Sequence, residues 1–199
     1  MKSGRACNRR DAVRVSSAAA LAVLATGSST RAAQVEDSKG PVPAKPEDVG
    51  TMDAIIAAVY AAISGPAGGR DWDRLRSLFH PSARLIPCVP SPQGKEQGLK
   101  ATRVFTVEEF IKVIEPRVKA EGFYEHEIAR RVERFGAVAH VFSTYESRHA
   151  EGDPKPFTRG INSIQLFFDG KRWWTVTIFW DSETPGQAIP GEYLPKKEG

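Results

Sequence analysis

The 199-residue chain is 41% hydrophobic and 26% charged, which supplies one buried core and excludes a wholly disordered polypeptide. Its formal charge of +4 suggests an acidic partner, but six of the 28 basic residues and one of the 24 acidic ones fall in the first 33 positions. The remainder carries 22 basic against 23 acidic groups, a net −1 with no basic run to neutralise phosphates, and nucleic acid is set aside as a partner.

Residues 1–33 read as an export signal. A basic segment from Lys2 to Arg14 precedes a short apolar stretch, Ala18 to Ala25, and small residues follow to Ala33. The apolar stretch is far below the ~20 residues of a membrane span, so no stable membrane insertion of the mature protein is expected. Arg9-Arg10 with Arg14 behind them resembles a twin-arginine signal, although Ala12 and Val13 stand where that motif usually has Phe and Leu. Cleavage is expected at Ala32 or Ala33, leaving a periplasmic or secreted protein. Cys88 is then the only cysteine, so no internal disulfide can form. Residues 34–48, with Pro41, Pro43 and Pro46, read as a flexible Pro-rich linker. The domain is placed at 49–194 and a polar tail at 195–199.

Thr51 caps a predicted helix in which Met52, Ile55, Ile56, Val59, Tyr60 and Ile63 recur on one face, and the Gly65 to Gly69 run ends it. A second helix starts at Asp71, carries Trp72, Leu75, Leu78 and Phe79, and stops at Pro81. Ala83 to Val89 reads as a strand and 90–103 as a loop. Thr106 to Glu109 is a capping box opening a third helix, which Pro116 is expected to end or kink. From Phe123 the pattern has period two. Tyr124, His126, Ile128 and Val132 are assigned to one face, read as the inward one, and Glu125, Glu127 and Arg131 to the other. Phe135-Gly136 marks a hairpin into a strand over Ala137–His149; a loop at Glu151 to Pro154 leads to Ile161–Phe168. Asp169-Gly170 is the strongest hairpin signal, because both residues tolerate positive φ. The last strand, Arg172 to Asp181, places Trp174, Val176, Ile178 and Trp180 on one side, and Trp173, Thr175, Thr177 and Phe179 on the other.

The order helix, helix, strand, helix and four antiparallel strands resembles the nuclear-transport-factor-two-like superfamily, which includes ketosteroid isomerases, scytalone dehydratases and SnoaL-like polyketide cyclases. The cues are the Tyr-bearing first helix, Asp71-Trp72 with Leu78 to Ala83, and the closing hairpin from Asp169-Gly170 through Trp174 to Trp180. Arg159 to Gln165, with Asp181-Ser182-Glu183, is similar to uncharacterised exported bacterial members. The resemblance implies a single α+β domain: a curved antiparallel sheet wrapped on about three N-terminal helices, a cystatin-like cone enclosing a pocket. It also implies that Tyr60 falls where the isomerases place an oxyanion-stabilising tyrosine, and Asn162 where they place a protonated aspartic acid. Their proton-shuttling aspartate aligns near Pro87, which cannot titrate, so steroid-isomerase chemistry is not expected.

A histidine has an unperturbed pKa near neutrality, which makes His126 the candidate base. The histidines and cysteines lack metal-ligand spacing, and neither a metal nor a cofactor is implied. The sequence is read as a protein whose mostly apolar pocket binds a small organic molecule, lined by Tyr60, Trp72, Tyr145, Asn162, Val176 and Trp180 with His126. Two alternatives stand beside it. One is a cofactor-independent dehydratase, cyclase or isomerase using His126 with Tyr60 and Asn162; the other is an assembly module that homodimerises through an exposed sheet face.

Overall fold

The structure is a computed structural model that describes residues 42–91 and 100–196. The export signal, most of the linker and the end of the polar tail lie outside the described residues. The linker's final residues begin a one-turn helix, α1 (Pro46–Val49), whose Asp48 accepts two hydrogen bonds from Arg74, each 2.8 Å. Three longer helices follow, α2 (Met52–Ile63), α3 (Trp72–Leu78) and α4 (Val107–Ala120), with strands β1 (Phe79–Pro90), β2 (Lys100–Thr102), β3 (Tyr124–Phe135), β4 (Val138–Arg148), β5 (Thr158–Phe168) and β6 (Trp173–Ser182).

Helices α2, α3 and α4 start where their capping chemistry predicts. Thr51 accepts from the Ala54 N–H at 3.0 Å and Asp71 from Arg74 at 2.9 Å, each satisfying an N–H that a helix start leaves free. Thr106 and Glu109 complete the capping box. Helix α4 does not end at Pro116 but runs on to Ala120. A mid-helix proline costs about 3 kcal/mol. Here fully buried Val118 anchors the last turn, the Val118 carbonyl receives the Gly68 N–H, and pairs Glu115–Lys119 and Arg117–Glu121 flank the proline.

The six strands form one mixed sheet in the order β2-β1-β6-β5-β4-β3. Strands β3 to β6 are the antiparallel meander expected from the hairpins, whereas β1 joins β6 in parallel. β1 also begins earlier than the prolines suggest. Pro81 lies where the β1–β6 ladder is interrupted, between Phe79 and Arg84, so its missing N–H removes no ladder bond. The segment read as a loop contains β2, paired with β1 at Cys88, Val89 and Pro90.

The concave face of the sheet and the helices share one core. Ile55 and Ile56 of α2 and Leu75 and Leu78 of α3 are almost wholly buried with Val141, Ile164, Leu166 and Ile178 of the sheet. Two bulges set which side chains reach that face. In β3–β4, Ala129 pairs with Thr144 but Glu127 with Tyr145, so Ile128 is an extra residue. In β5–β6, Leu166 pairs with Thr175 but Gln165 with Thr177, so Val176 is extra.

Candidate functional site

A cavity of about 430 Å³ lies between α2, α4 and the sheet. Val59, Leu85, Phe105, Phe110, Ile164 and Ile178 are among its apolar walls, and Pro87 is part of the β1 wall. Six of its polar side chains, Tyr60, Glu125, Tyr145, Ser147, Asn162 and Ser182, come from α2 and strands β3 to β6 and are buried or half-buried. Tyr60, Tyr145, Asn162 and Trp180 line the cavity. Trp180 meets Phe110 edge-on at 6.1 Å, narrowing the cavity without filling it.

Three expected site residues do not line the cavity. His126 is exposed and lines a separate cleft between α2 and β3, which shares Tyr60 and Glu125 with the cavity, and its Nε2 is 3.1 Å from Arg148 Nη1. The cause is the bulge at Ile128. A register carried straight from the β3–β4 hairpin would set His126 opposite Ser147 and Ile128 opposite Tyr145. The extra residue instead sets Glu125 opposite Ser147 and Glu127 opposite Tyr145, so the two carboxylates face inward and the histidine outward. Val176 is displaced by the same physics: as the extra residue of β6 it leaves the alternation, which buries Trp173 and Thr175 before it and Ile178 after it. Trp72, at the first turn of α3, donates its indole N–H to Glu115 at 3.2 Å and packs between α3 and α4. Trp174, placed on the same side as Trp180 by simple alternation, lies outside beneath the Arg172 guanidinium and donates to Asp169 at 2.7 Å.

Glu125 is the residue the sequence reading missed. Its backbone is fixed by Ser64, the residue that closes α2, whose hydroxyl accepts from the Glu125 N–H at 2.9 Å and donates to the Tyr60 carbonyl at 2.7 Å, with the Glu125 carbonyl 3.1 Å away. Ser147 donates to the Glu125 carboxyl at 2.7 Å and the Asn162 amide donates to it as well. Its half-buried accessibility is that of a cavity wall, because fully buried Ser147 and almost fully buried Tyr60, Tyr145 and Asn162 surround it. Loss of hydration disfavours the carboxylate more than the two donors favour it, and its pKa is pushed up to about 7. Burial likewise pushes the Tyr145 phenol up to about 12; its hydroxyl stands 3.0 Å from Ser182 Oγ.

Tyr60 occupies a chain of hydrogen bonds. Ser143 donates to the Glu127 carboxylate, leaving its oxygen to accept from the Tyr60 hydroxyl at 2.6 Å. The phenol oxygen in turn accepts from Asn162 Nδ2 at 3.1 Å. The single Tyr60 proton is thus directed at Ser143, away from any ligand, and burial together with nearby Glu125 raises its pKa further. The two Asn162 amide hydrogens are taken by Tyr60 and Glu125, so the polar groups the cavity can offer a carbonyl or hydroxyl group are the Tyr145 and Ser182 hydroxyls and the Glu125 carboxyl. The site can therefore hold an apolar molecule by shape, fix one polar end with donors, and accept or release a proton through one carboxyl. Among the described residues, no group of three or more His, Cys, Asp or Glu side chains could hold a metal ion.

No protein-family model and no curated protein matches the chain. Solved structures do. A candidate calcium/calmodulin-dependent protein kinase type II association domain from Thiobacillus denitrificans is 14% identical, with 67% of this chain and 96% of that one covered and a TM-score of 0.51. The β subunit of a candidate aromatic-ring-hydroxylating dioxygenase from Novosphingobium aromaticivorans is 12% identical, covering 68% and 88% with a TM-score of 0.50. An NTF-2 like protein of unknown function from Silicibacter pomeroyi is 16% identical, covering 67% and 94% with a TM-score of 0.45. Identities this low speak to architecture alone, since one fold hosts many activities. Taken with the meander and the wrapped helices, the first two likenesses show an α+β protein that shares the fold of those structures, in keeping with the resemblance to nuclear-transport-factor-two-like proteins.

Proposed function

We propose that this is an exported protein whose cavity binds a small, mostly apolar organic molecule. The observation that supports the reading is the make-up of the cavity wall: aliphatic and aromatic side chains over most of it, with a few hydroxyls and one buried carboxyl among them. That is how ligand sites combine affinity from shape with orientation from a few polar groups. At about 30 Å³ of liquid per water, the cavity's 430 Å³ corresponds to roughly fourteen waters, a space suited to a ligand of about that many non-hydrogen atoms. The test is calorimetric titration of the full chain with a neutral probe of that size, decanediol, beside an Ile114→Trp variant. Ile114 is a half-buried α4 residue in the cavity wall, where indole fills space without entering the main core. Binding by the wild type and none by the folded variant supports the reading; equal binding by both sinks it. Export is tested separately, by sequencing the N-terminus of protein recovered from outside the cytoplasm.

A second reading, a dehydratase, cyclase or isomerase without a cofactor, is supported by Glu125. A carboxyl with a pKa near 7 inside an apolar cavity is suited to take a proton from carbon or return one. In this version Glu125 is the base, held in place by Ser147 and Asn162, while Tyr145 polarises the substrate. Turnover of any carbonyl substrate that survives Glu125→Gln would rule it out. Self-association is the third reading, motivated by Val132, Phe135 and Val138, which expose apolar surface at the β3–β4 hairpin. A monomer at all concentrations in sedimentation equilibrium would exclude it.

A further inference from the structure

The cavity wall carries three charged side chains, and they differ in exposure. The Glu125 carboxyl is held among buried Ser147, Tyr60, Tyr145 and Asn162. Arg103 and Arg117 are exposed where the cavity opens, beside Val113 and Phe157, which also keep more than a third of their surface in contact with solvent. Arg103 stands over the Phe105 ring at 4.9 Å and makes no ion pair among the described residues. Arg117 is paired with Glu121 at 3.0 Å, with 56% and 45% of the two side chains exposed. A pair so exposed contributes little net free energy, so the guanidinium can turn to another anion. His149 also faces this side, 3.5 Å from Glu121 and stacked on Phe157, but neither His149 nor Glu121 lines the cavity. The mouth therefore presents two guanidinium groups around an apolar opening, and the charge within reach of an entering molecule is positive.

We infer that the mouth is an anion subsite: the ligand is an amphiphile whose carboxylate is held by Arg103 and Arg117 while its apolar body fills the cavity. A hydroxyl or carbonyl at its far end meets Tyr145 and Glu125. Guanidinium is weakly hydrated and matches the geometry of a carboxylate, and a low-dielectric opening focuses its field on the entering group. A purely neutral molecule would leave both arginines without use, and a cationic one would be repelled at the mouth. This inference rests on the ligand-binding reading above and narrows it to a chemical class, the hydroxy or oxo acids with a medium-length apolar body.

The experiment is calorimetric titration of the full chain with three probes of one length: ω-hydroxydecanoate, neutral decanediol and cationic aminodecanol. The inference predicts that the hydroxy acid binds about tenfold more tightly than the diol, the combined worth of two partly exposed charge contacts. The amine binds weakest. Added salt reduces the advantage of the acid. The double substitution Arg103→Gln with Arg117→Gln removes the advantage of the acid over the diol, both measured on that variant, and thermal unfolding reports that the variant is folded. If all three probes bind alike, or the advantage of the acid survives the double substitution, the anion subsite is wrong while the cavity reading stands. If none of the three binds, both fall.

Discussion

Glu125→Gln is the substitution through which the site can be read most quantitatively. In the folded protein the Glu125 carboxyl keeps its proton up to a pH of about 7, against 4.5 for an ordinary glutamic acid. Between those two values the unfolded chain releases the proton and the folded chain retains it, so rising pH favours unfolding. The stability associated with the protonated carboxyl is therefore complete below the unfolded pKa and lost as pH rises through the folded one. At about 1.4 kcal/mol per pKa unit, the span amounts to about 3 kcal/mol. Glutamine has the same size and keeps an acceptor for Ser147, but cannot ionise. Urea unfolding followed by tryptophan fluorescence, run on both proteins from about pH 4 to about pH 8, measures the difference. The variant should gain about 3 kcal/mol relative to wild type across that range, whatever its offset at the acid end. Asp48 and Glu108, whose pKa values are lowered by hydrogen bonds from Arg74 and Arg76, are common to both proteins, so their contributions cancel. A difference that is flat with pH, or in which the variant loses ground as pH rises, would refute the assignment of Glu125 as a buried carboxyl.

Other substitutions test the neighbouring contacts. Ser147→Ala removes a donor that favours the ionised carboxylate, so it should cost about 1 kcal/mol at acid pH and about 2 kcal/mol above neutrality, measured by the same unfolding curves. Gly160→Ala places a methyl 2.5 Å from the Tyr145 hydroxyl and against the Asp181 carbonyl; forcing Tyr145 aside should cost about 1–3 kcal/mol and lower the thermal midpoint. His126→Ala should change stability by no more than about 0.5 kcal/mol and leave probe affinity unchanged, because the ring lies in the outer cleft. An affinity loss for that variant would return His126 to the site.

The fold was legible because its signals are local. Caps at Thr51 and Thr106, glycine runs that stop helices, and the Asp169-Gly170 turn each work through neighbouring atoms that a sequence displays directly. The Gly170 φ of 94° and the paired N–H groups on Asp169 confirm the turn chemistry. The site was legible only in part. Tyr60, Tyr145, Asn162 and Trp180 hold their expected places, because α2 and the later halves of β4 and β6 keep one phase within the segment that matters. Glu125 was misplaced because strand periodicity gives two faces without saying where an extra residue exchanges them. One inserted residue, Ile128, turns the carboxylates in and the histidine out, and hydrophobicity argued for the opposite arrangement. The compensations that let Glu125 face the core come from Ser64, Ser147 and Asn162, respectively 61, 22 and 37 positions away and brought together only by strand pairing. The arginines of the mouth are surface residues in sequence, and nothing local marks them as cavity wall.

The central claim is that an apolar molecule enters the space between α2, α4 and the sheet. The most direct measurement is methyl NMR of the full chain titrated with decanediol, followed by protein–ligand Overhauser contacts. The account predicts shifts and contacts at Val59, Ile164 and Ile178, whose side chains line the cavity. Contacts confined to Val132 and Val138 on the exposed hairpin, or none at saturating probe, would contradict it.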